Sequence, residues 1–278
     1  GFTIVESSGS TSVDESGTTD TFTVVLDAQP TSDVVIQFVS ADTGEATVTS
    51  LLTFTSANWD TPQTVTVTGV DENFVDLDQT TEITASVLEV SSDDNFDSVA
   101  DQTVSVTTTD DDVAGFTIVE SSGSTSVDES GTTDTFTVVL DAQPDSDVVL
   151  SISSSDSGEA TTASLLTFTS ANWDTAQTVT VTGVDDNLID GTITSTLTLA
   201  VVDAITDDNF DSVADQTVSV TTTDDDVAGF TIVESTGSTG VAESGTTDTF
   251  TVVLDAEPDS DVVLSVTSGD TGEATVTS

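Results

Sequence analysis

The hexapeptide Gly-Phe-Thr-Ile-Val-Glu begins at Gly1, at Gly115 and at Gly229, a spacing of 114 residues both times. Residues 1–114 align with 115–228 without a gap, and about three-quarters of the positions are identical. A repeat at one fixed spacing restricts the chain to a tandem array in which a single structural unit recurs. The domains therefore read as repeat 1 (1–114), repeat 2 (115–228) and a partial repeat 3 (229–278). The third copy stops at the sequence that matches Glu45 to Ser50. Either the chain is a segment of a longer array, or another chain completes the partial copy.

Inside one repeat the apolar period is 2. Thr21-Phe22-Thr23-Val24, Thr64-Val65-Thr66-Val67-Thr68 and Thr103-Val104-Ser105-Val106-Thr107 alternate as half-buried strands do, Thr outward and Val or Phe inward. The pattern predicts seven strands, A to G, at 2–5, 20–27, 33–40, 47–55, 63–69, 79–90 and 102–109, with turn residues between them. Seven short strands in 114 residues have the rhythm of an immunoglobulin-like antiparallel β-sandwich. The fold class is all-β, as tandem sandwiches. The expected core is Phe2, Ile4, Phe22, Val24, Leu26, Val35, Leu52, Phe54, Val65, Val67, Val104 and Val106. Between repeats there is no Gly/Ser or Pro-rich spacer, only Asp110-Asp111-Asp112-Val113-Ala114, so neighbours sit nearly end to end.

Charge narrows the function. Of 278 residues, 52 are Asp or Glu, and none is Lys, Arg, His, Cys, Met or Tyr. Most general bases, nucleophiles and anion clamps are thereby missing, which argues against an enzyme. Nucleic acid and anionic membrane surfaces are repelled. There are no disulfides, no thiolate metal sites and no Lys-based isopeptide crosslinks. No run approaches the roughly 18 apolar residues of a membrane span, and none reads as a signal peptide. The regular patterning is that of a folded chain, and something outside it must neutralise it.

Strand counting places the acids. With strands alternating in direction, the A–B, C–D and E–F loops and the tail after strand G emerge at one pole. Those segments carry Glu15; Asp42 and Glu45; Asp71, Glu72 and Asp76; and Asp110, Asp111 and Asp112. Crowded carboxylates destabilise one another, and no cationic side chain can pair them. A bound cation is the remaining solution. An all-oxygen ligand set suits Ca²⁺, which takes 6–8 oxygens; Mg²⁺ demands strict octahedral geometry, and Zn²⁺ and Cu²⁺ favour His or Cys. Nine carboxylates exceed the needs of one ion, so two or more Ca²⁺ per junction are expected.

Val-x-Glu-Ser-Gly before a Thr-Phe-Thr-Val strand, the Thr-Val-Thr-Gly-Val-Asp strand end with acids after it, and the terminal Thr-Asp-Asp-Asp resemble the Calx-beta domain. That family includes regulatory domains of sodium–calcium exchangers, a module of one integrin beta subunit and tandem copies in bacterial surface proteins. The resemblance covers the whole repeat. By position it implies Ca²⁺ ligands at Glu15, Asp42, Asp71, Glu72, Asp76, Asp110, Asp111 and Asp112. In repeat 2 these become Glu129, Asp156, Asp185, Asp186, Asp190, Asp224, Asp225 and Asp226, and the third copy keeps Glu243 and Asp270. Glu45 and Glu159 stand outside that implied set. Asp14 is read as peripheral, because the third copy has Ala242 there.

Plainer readings fit other residues. Asp20, Asp27, Asp33, Glu82 and Glu89 read as solvated surface. Asp93, Asp94 and Asp97 read as turn residues at the opposite pole, and Trp59 and Trp173 as packing against a loop. The expected function is a Ca²⁺-stabilised extracellular, cell-surface segment, a rigid stalk or filament of an adhesin. Its partners would be neighbouring repeats, and identical chains if it forms a filament. Two alternatives are a self-assembling subunit completed by a neighbour's strand and a Ca²⁺-sensing regulatory module.

Overall fold

In the computed structural model, which describes residues 1–277, the alternating segments form strands that stack into two-layer sandwiches. The first sandwich contains β1 (Phe2–Glu6), β2 (Thr11–Asp14), β3 (Thr19–Leu26), β4 (Val34–Ser40), β5 (Ala46–Val48), β6 (Leu51–Phe54), β7 (Gln63–Gly69), β8 (Gln79–Val87) and β9 (Gln102–Thr109). One sheet has the order β1-β3-β7-β5 and the other β2-β9-β8-β4-β6. The second sandwich repeats this arrangement from Phe116 to Thr223. All strand pairs are antiparallel except β2 with β9, which is parallel, and its counterpart in the second sandwich. Among the described residues no helix is long and apolar enough to cross a membrane.

Three sequence expectations need correction. Strand A ends at Glu6, as expected, but the chain then turns at Gly9 (φ 80°) and adds a segment outside the expected seven, crossing to the other sheet as β2. The expected single strand at 47–55 likewise splits into β5 and β6, one in each sheet. Both are edge segments, and switching sheets lets each sheet use part of the same edge segment. The expected strand at 79–90 ends at Val87, where a 3₁₀ turn over Glu89–Ser91 takes over. In β4 the inward set is Val34, Ile36 and Phe38, and Val35 is only half-buried. Ile4 and Leu52 pack against the core from its margin, and the other expected core residues are buried. Phe22 and Phe38 meet edge to face across the two sheets, with centroids 5.8 Å apart.

Strand direction alternates as expected, although the sheet order is not sequential. The turns before β3, before β5 and before β8, with the tail after β9, therefore share one pole. That pole meets the second sandwich. Val75, in the loop before β8, is buried in the second sandwich's core beside residues such as Phe116 and Phe210. The third copy pairs a strand at Phe230–Glu234 with one at Phe250–Leu254 in the register of β1 with β3, Phe230 opposite Leu254 as Phe2 is opposite Leu26.

Candidate metal centre

The pole is built around Glu15. Its backbone N–H continues the β2–β9 pairing by donating to the Thr109 carbonyl, 3.2 Å. The chain then turns back through Gly17, whose φ of +88° suits glycine, and the Gly17 N–H donates to the Asp14 carbonyl at 3.1 Å. Asp14 spends its carboxylate on this turn, accepting from the Ser16 N–H and hydroxyl and from Thr109 Oγ1. Those bonds, the Ser16 hydroxyl foremost, hold its pKa below the ordinary value. Asp14 thus faces its own loop, and Glu15 faces inward.

Glu15 is fully buried, and neither of its carboxylate oxygens has a hydrogen-bond partner. A buried, unpaired carboxylate is among the costliest groups a fold can hold. Burial foremost, then the charges of Asp110, Asp76, Glu45 and Glu72, push its pKa up to about 7. Glu129 repeats this in the second sandwich, also raised to about 7, by burial and then by Asp224, Asp186, Asp190 and Glu159. Glu45, Glu72, Asp76 and Asp112 are raised as well, burial again being the first cause in each. Single oxygens of Glu45, Asp76, Asp112, Glu159 and Asp226 are buried without a partner too.

Two groups of oxygens converge. Glu15, Asp110 and Asp112 bring ligand atoms within 4.8 Å of one another, and so do Glu15, Glu45 and Glu72. Glu15 belongs to both. In the second sandwich Glu129, Asp224 and Asp226 form the counterpart of the first group, while the other is Glu159, Asp186 and Asp190, in which Asp190 rather than Glu129 is the third member. Asp110 is oriented by accepting from the Leu77 N–H (2.8 Å) and the Asp112 N–H (2.8 Å), as Asp224 is by Gly191 and Asp226. Leu77 takes a positive φ of 67° to donate that bond, a conformation left to glycine at Gly191.

Of the expected ligands, Asp42 and Asp156 sit exposed at the rim, each accepting from the glycine two residues on, Gly44 or Gly158. Asp71 and Asp111, with Asp185 and Asp225, are exposed and outside the converging groups. Glu243 and Asp270 are exposed, and no such group forms around them among the described residues. The residues left out of the implied set, Glu45 and Glu159, are 9% and 6% exposed and take part in the groups. Their signal was positional: each stands immediately before a strand that starts at this pole. Asp93, read as a turn residue, is buried, accepts from the Thr31, Ser32 and Asn95 N–H groups, and is held well below the usual carboxylate range. Trp59 packs against the core, and its carbonyl accepts from the Leu26 N–H.

The donor set fits a hard divalent cation: carboxylate oxygens only, buried oxygens without partners, and no cationic side chain in the chain. Glu15 is also positioned from below. A Cβ added at Gly69 would lie 2.1 Å from the Asp14 carbonyl oxygen, so β7 can pass under the Asp14–Gly17 turn only as glycine. Gly183 stands in the same relation to Asp128. Gly69→Ala is expected to destabilise the first sandwich by about 1–3 kcal/mol or more, read by calorimetric unfolding. An unchanged melting profile would show that the turn can lift away freely.

Fold and site together define a tandem β-sandwich chain with strongly acidic, partly buried poles. No protein-family model matches it, and no curated protein does. Similar solved structures include the CBD12 fragment of CALX1.2, 13% identical, with a TM-score of 0.31 over 78% of this chain and 99% of that one. The apo-form Calx CBD1 domain is 15% identical, with a TM-score of 0.30 over 40% of this chain and 98% of that one. Domains 4 and 5 of the S-layer protein SbsC are 16% identical, with a TM-score of 0.33 over 80% of this chain and 98% of that one. Likenesses at this level assign the chain to none of those families.

Proposed function

We propose that repeats 1–114, 115–228 and 229–278 belong to a Ca²⁺-stabilised extracellular array, a rigid stalk or filament segment of a surface adhesin of the Calx-beta type. The observation that carries this reading is Glu15, buried with both oxygens unpartnered in a chain without a single cationic side chain, and its counterpart Glu129, buried with one oxygen unpartnered. A bound ion would supply the missing positive charge. Asp110 and Asp112 with Glu15 would hold one ion, and Glu45 and Glu72 with Glu15 a second, Glu15 bridging the two. Asp224 and Asp226 with Glu129, and Asp186 and Asp190 with Glu159, would serve the second junction. Sites of the extracellular kind, with affinities of roughly 10⁻⁴–10⁻³ M, fill outside the cell and stay empty in the cytosol.

A spacer is useful if it holds its length. The short Asp-Asp-Asp-Val-Ala connection and the Val75 contact support a stiff joint, and Ca²⁺ would remove the repulsion at it. Small-angle X-ray scattering of the whole chain in millimolar Ca²⁺ should give a well-defined maximum dimension, with the distribution broadening in EDTA. Superimposable profiles, together with no bound Ca²⁺ by elemental analysis, would refute the proposal.

A further inference from the structure

The loop that carries Glu72 and Asp76 is also the loop that grips the next repeat. Gln143, in the second sandwich, donates its N–H to the Asn73 carbonyl (2.6 Å) and accepts from the Val75 N–H (3.4 Å). Asn209 Nδ2 donates to the Val75 carbonyl at 2.5 Å. The second sandwich thus pins this loop on both sides of the buried Val75. Two residues beyond Gln143 stands Asp145, which lines one cleft of about 450 Å³ with Asp42, Glu45, Glu72 and Asp76 of the first sandwich. Its negative charge is felt by Asp76 across the junction. Glu45, more than nine-tenths buried, lines the same cleft with an oxygen that has no partner.

The copies differ at this position. Repeat 1 has Thr31, whose hydroxyl donates to Asp93 at 2.7 Å. Repeat 2 replaces that donor with Asp145, leaving Ser146 as the residue of this turn that bonds the equivalent Asp207. A hydrogen bond has been given up to place one more carboxylate beside four others, which is unfavourable unless a cation sits among them. The third copy has Asp259 there, and its Glu257 N–H donates to the Asn187 carbonyl at 2.6 Å, the same backbone contact one junction further on.

We propose that Asp145 is a cross-repeat ligand: a divalent cation in this cleft is held by Glu45, Glu72 and Asp76 from one repeat and by Asp145 from the next, directly or through a coordinated water. The inference rests on the reading that the acidic pole takes a hard cation. It adds that ion binding and inter-repeat docking are one event, each strengthening the other by the same factor. Asp259 would do likewise at the second junction.

The test is calorimetric titration of the whole chain with CaCl₂, comparing wild type, D145N and D147N. Asp147 is exposed and outside the cleft, so D147N removes the same charge from the same turn and controls for long-range electrostatics. D145N should weaken one class of ions by roughly tenfold or more, and broaden the scattering-derived dimension in Ca²⁺. D147N should stay within about twofold of wild type. If D145N and D147N titrate alike, Asp145 is not a ligand although the pole binds Ca²⁺. If wild type binds no Ca²⁺ at all, the reading on which this inference rests falls with it.

Discussion

Chelation should cost this protein more stability than any single substitution. At about 10 mM Ca²⁺, a site with an affinity of 10⁻⁴–10⁻³ M adds roughly 1.4–2.7 kcal/mol per ion through mass action alone. Two ions at one pole therefore shift the melting temperature of the sandwich that holds them by more than about 10 °C. The gain arises because the ion binds a site the unfolded chain lacks, and because it replaces the repulsion among Glu15, Glu45, Glu72, Asp76, Asp110 and Asp112 with attraction. The comparison is a melt of the full chain in Ca²⁺, in Mg²⁺ and in EDTA, all at matched high NaCl so that general screening is constant. Mg²⁺ should restore little, since a crowded and irregular oxygen set is poorly suited to octahedral geometry. If EDTA leaves the melt unchanged, the acidic pole is an ordinary salt-adapted surface.

Much of this architecture is legible in the residues themselves, because alternation survives translation into structure. Phe22 and Val24 point inward because Thr21 and Thr23 mark the outward face, and Leu26 keeps that phase past the half-buried Val25. Strand polarity alone brings Glu15, Glu72, Asp110 and Asp112 to one end. What alternation cannot carry is a change of sheet. Thr11–Asp14 pairs with β9, and β6 leaves the sheet of β5, through backbone bonds that impose no new side-chain period. The run Val34-Val35-Ile36 likewise has no alternation to set its phase, so its inward face is decided by tertiary packing. Glu45 was within reach as an acid at the right strand end. Asp145 was not, because its loop belongs to the opposite pole of its own sandwich and meets the carboxylates only when two repeats dock.

The metal-free protein should become more stable as it is acidified from pH 8 to pH 5, the reverse of ordinary acid denaturation. Glu15 and Glu129 titrate near 4.5 when unfolded and near 7 when folded, so between those values the folded state holds the extra protons. Each such proton contributes about 1.4 kcal/mol per pH unit. A raised carboxylate contributes its stability fully below the unfolded value, and loses it as the pH climbs through the folded one. Glu45, Glu72, Asp76, Asp112, Glu159 and Asp226 are displaced in the same direction and reinforce the trend. Asp14, Asp20, Asp128 and Asp134 are displaced downward, and their opposing contribution is lost only below about pH 4. Melts in EDTA should therefore rise toward pH 5, while melts in Ca²⁺ should flatten or fall, because protons compete for the same oxygens. The double variant Glu15→Gln, Glu129→Gln separates this from relief of general charge. It should melt higher than wild type in EDTA at pH 8, lose most of the acid stabilisation, and gain little from Ca²⁺. A variant that keeps the full wild-type pH dependence would show that the buried carboxylates do not set the stability of the pole.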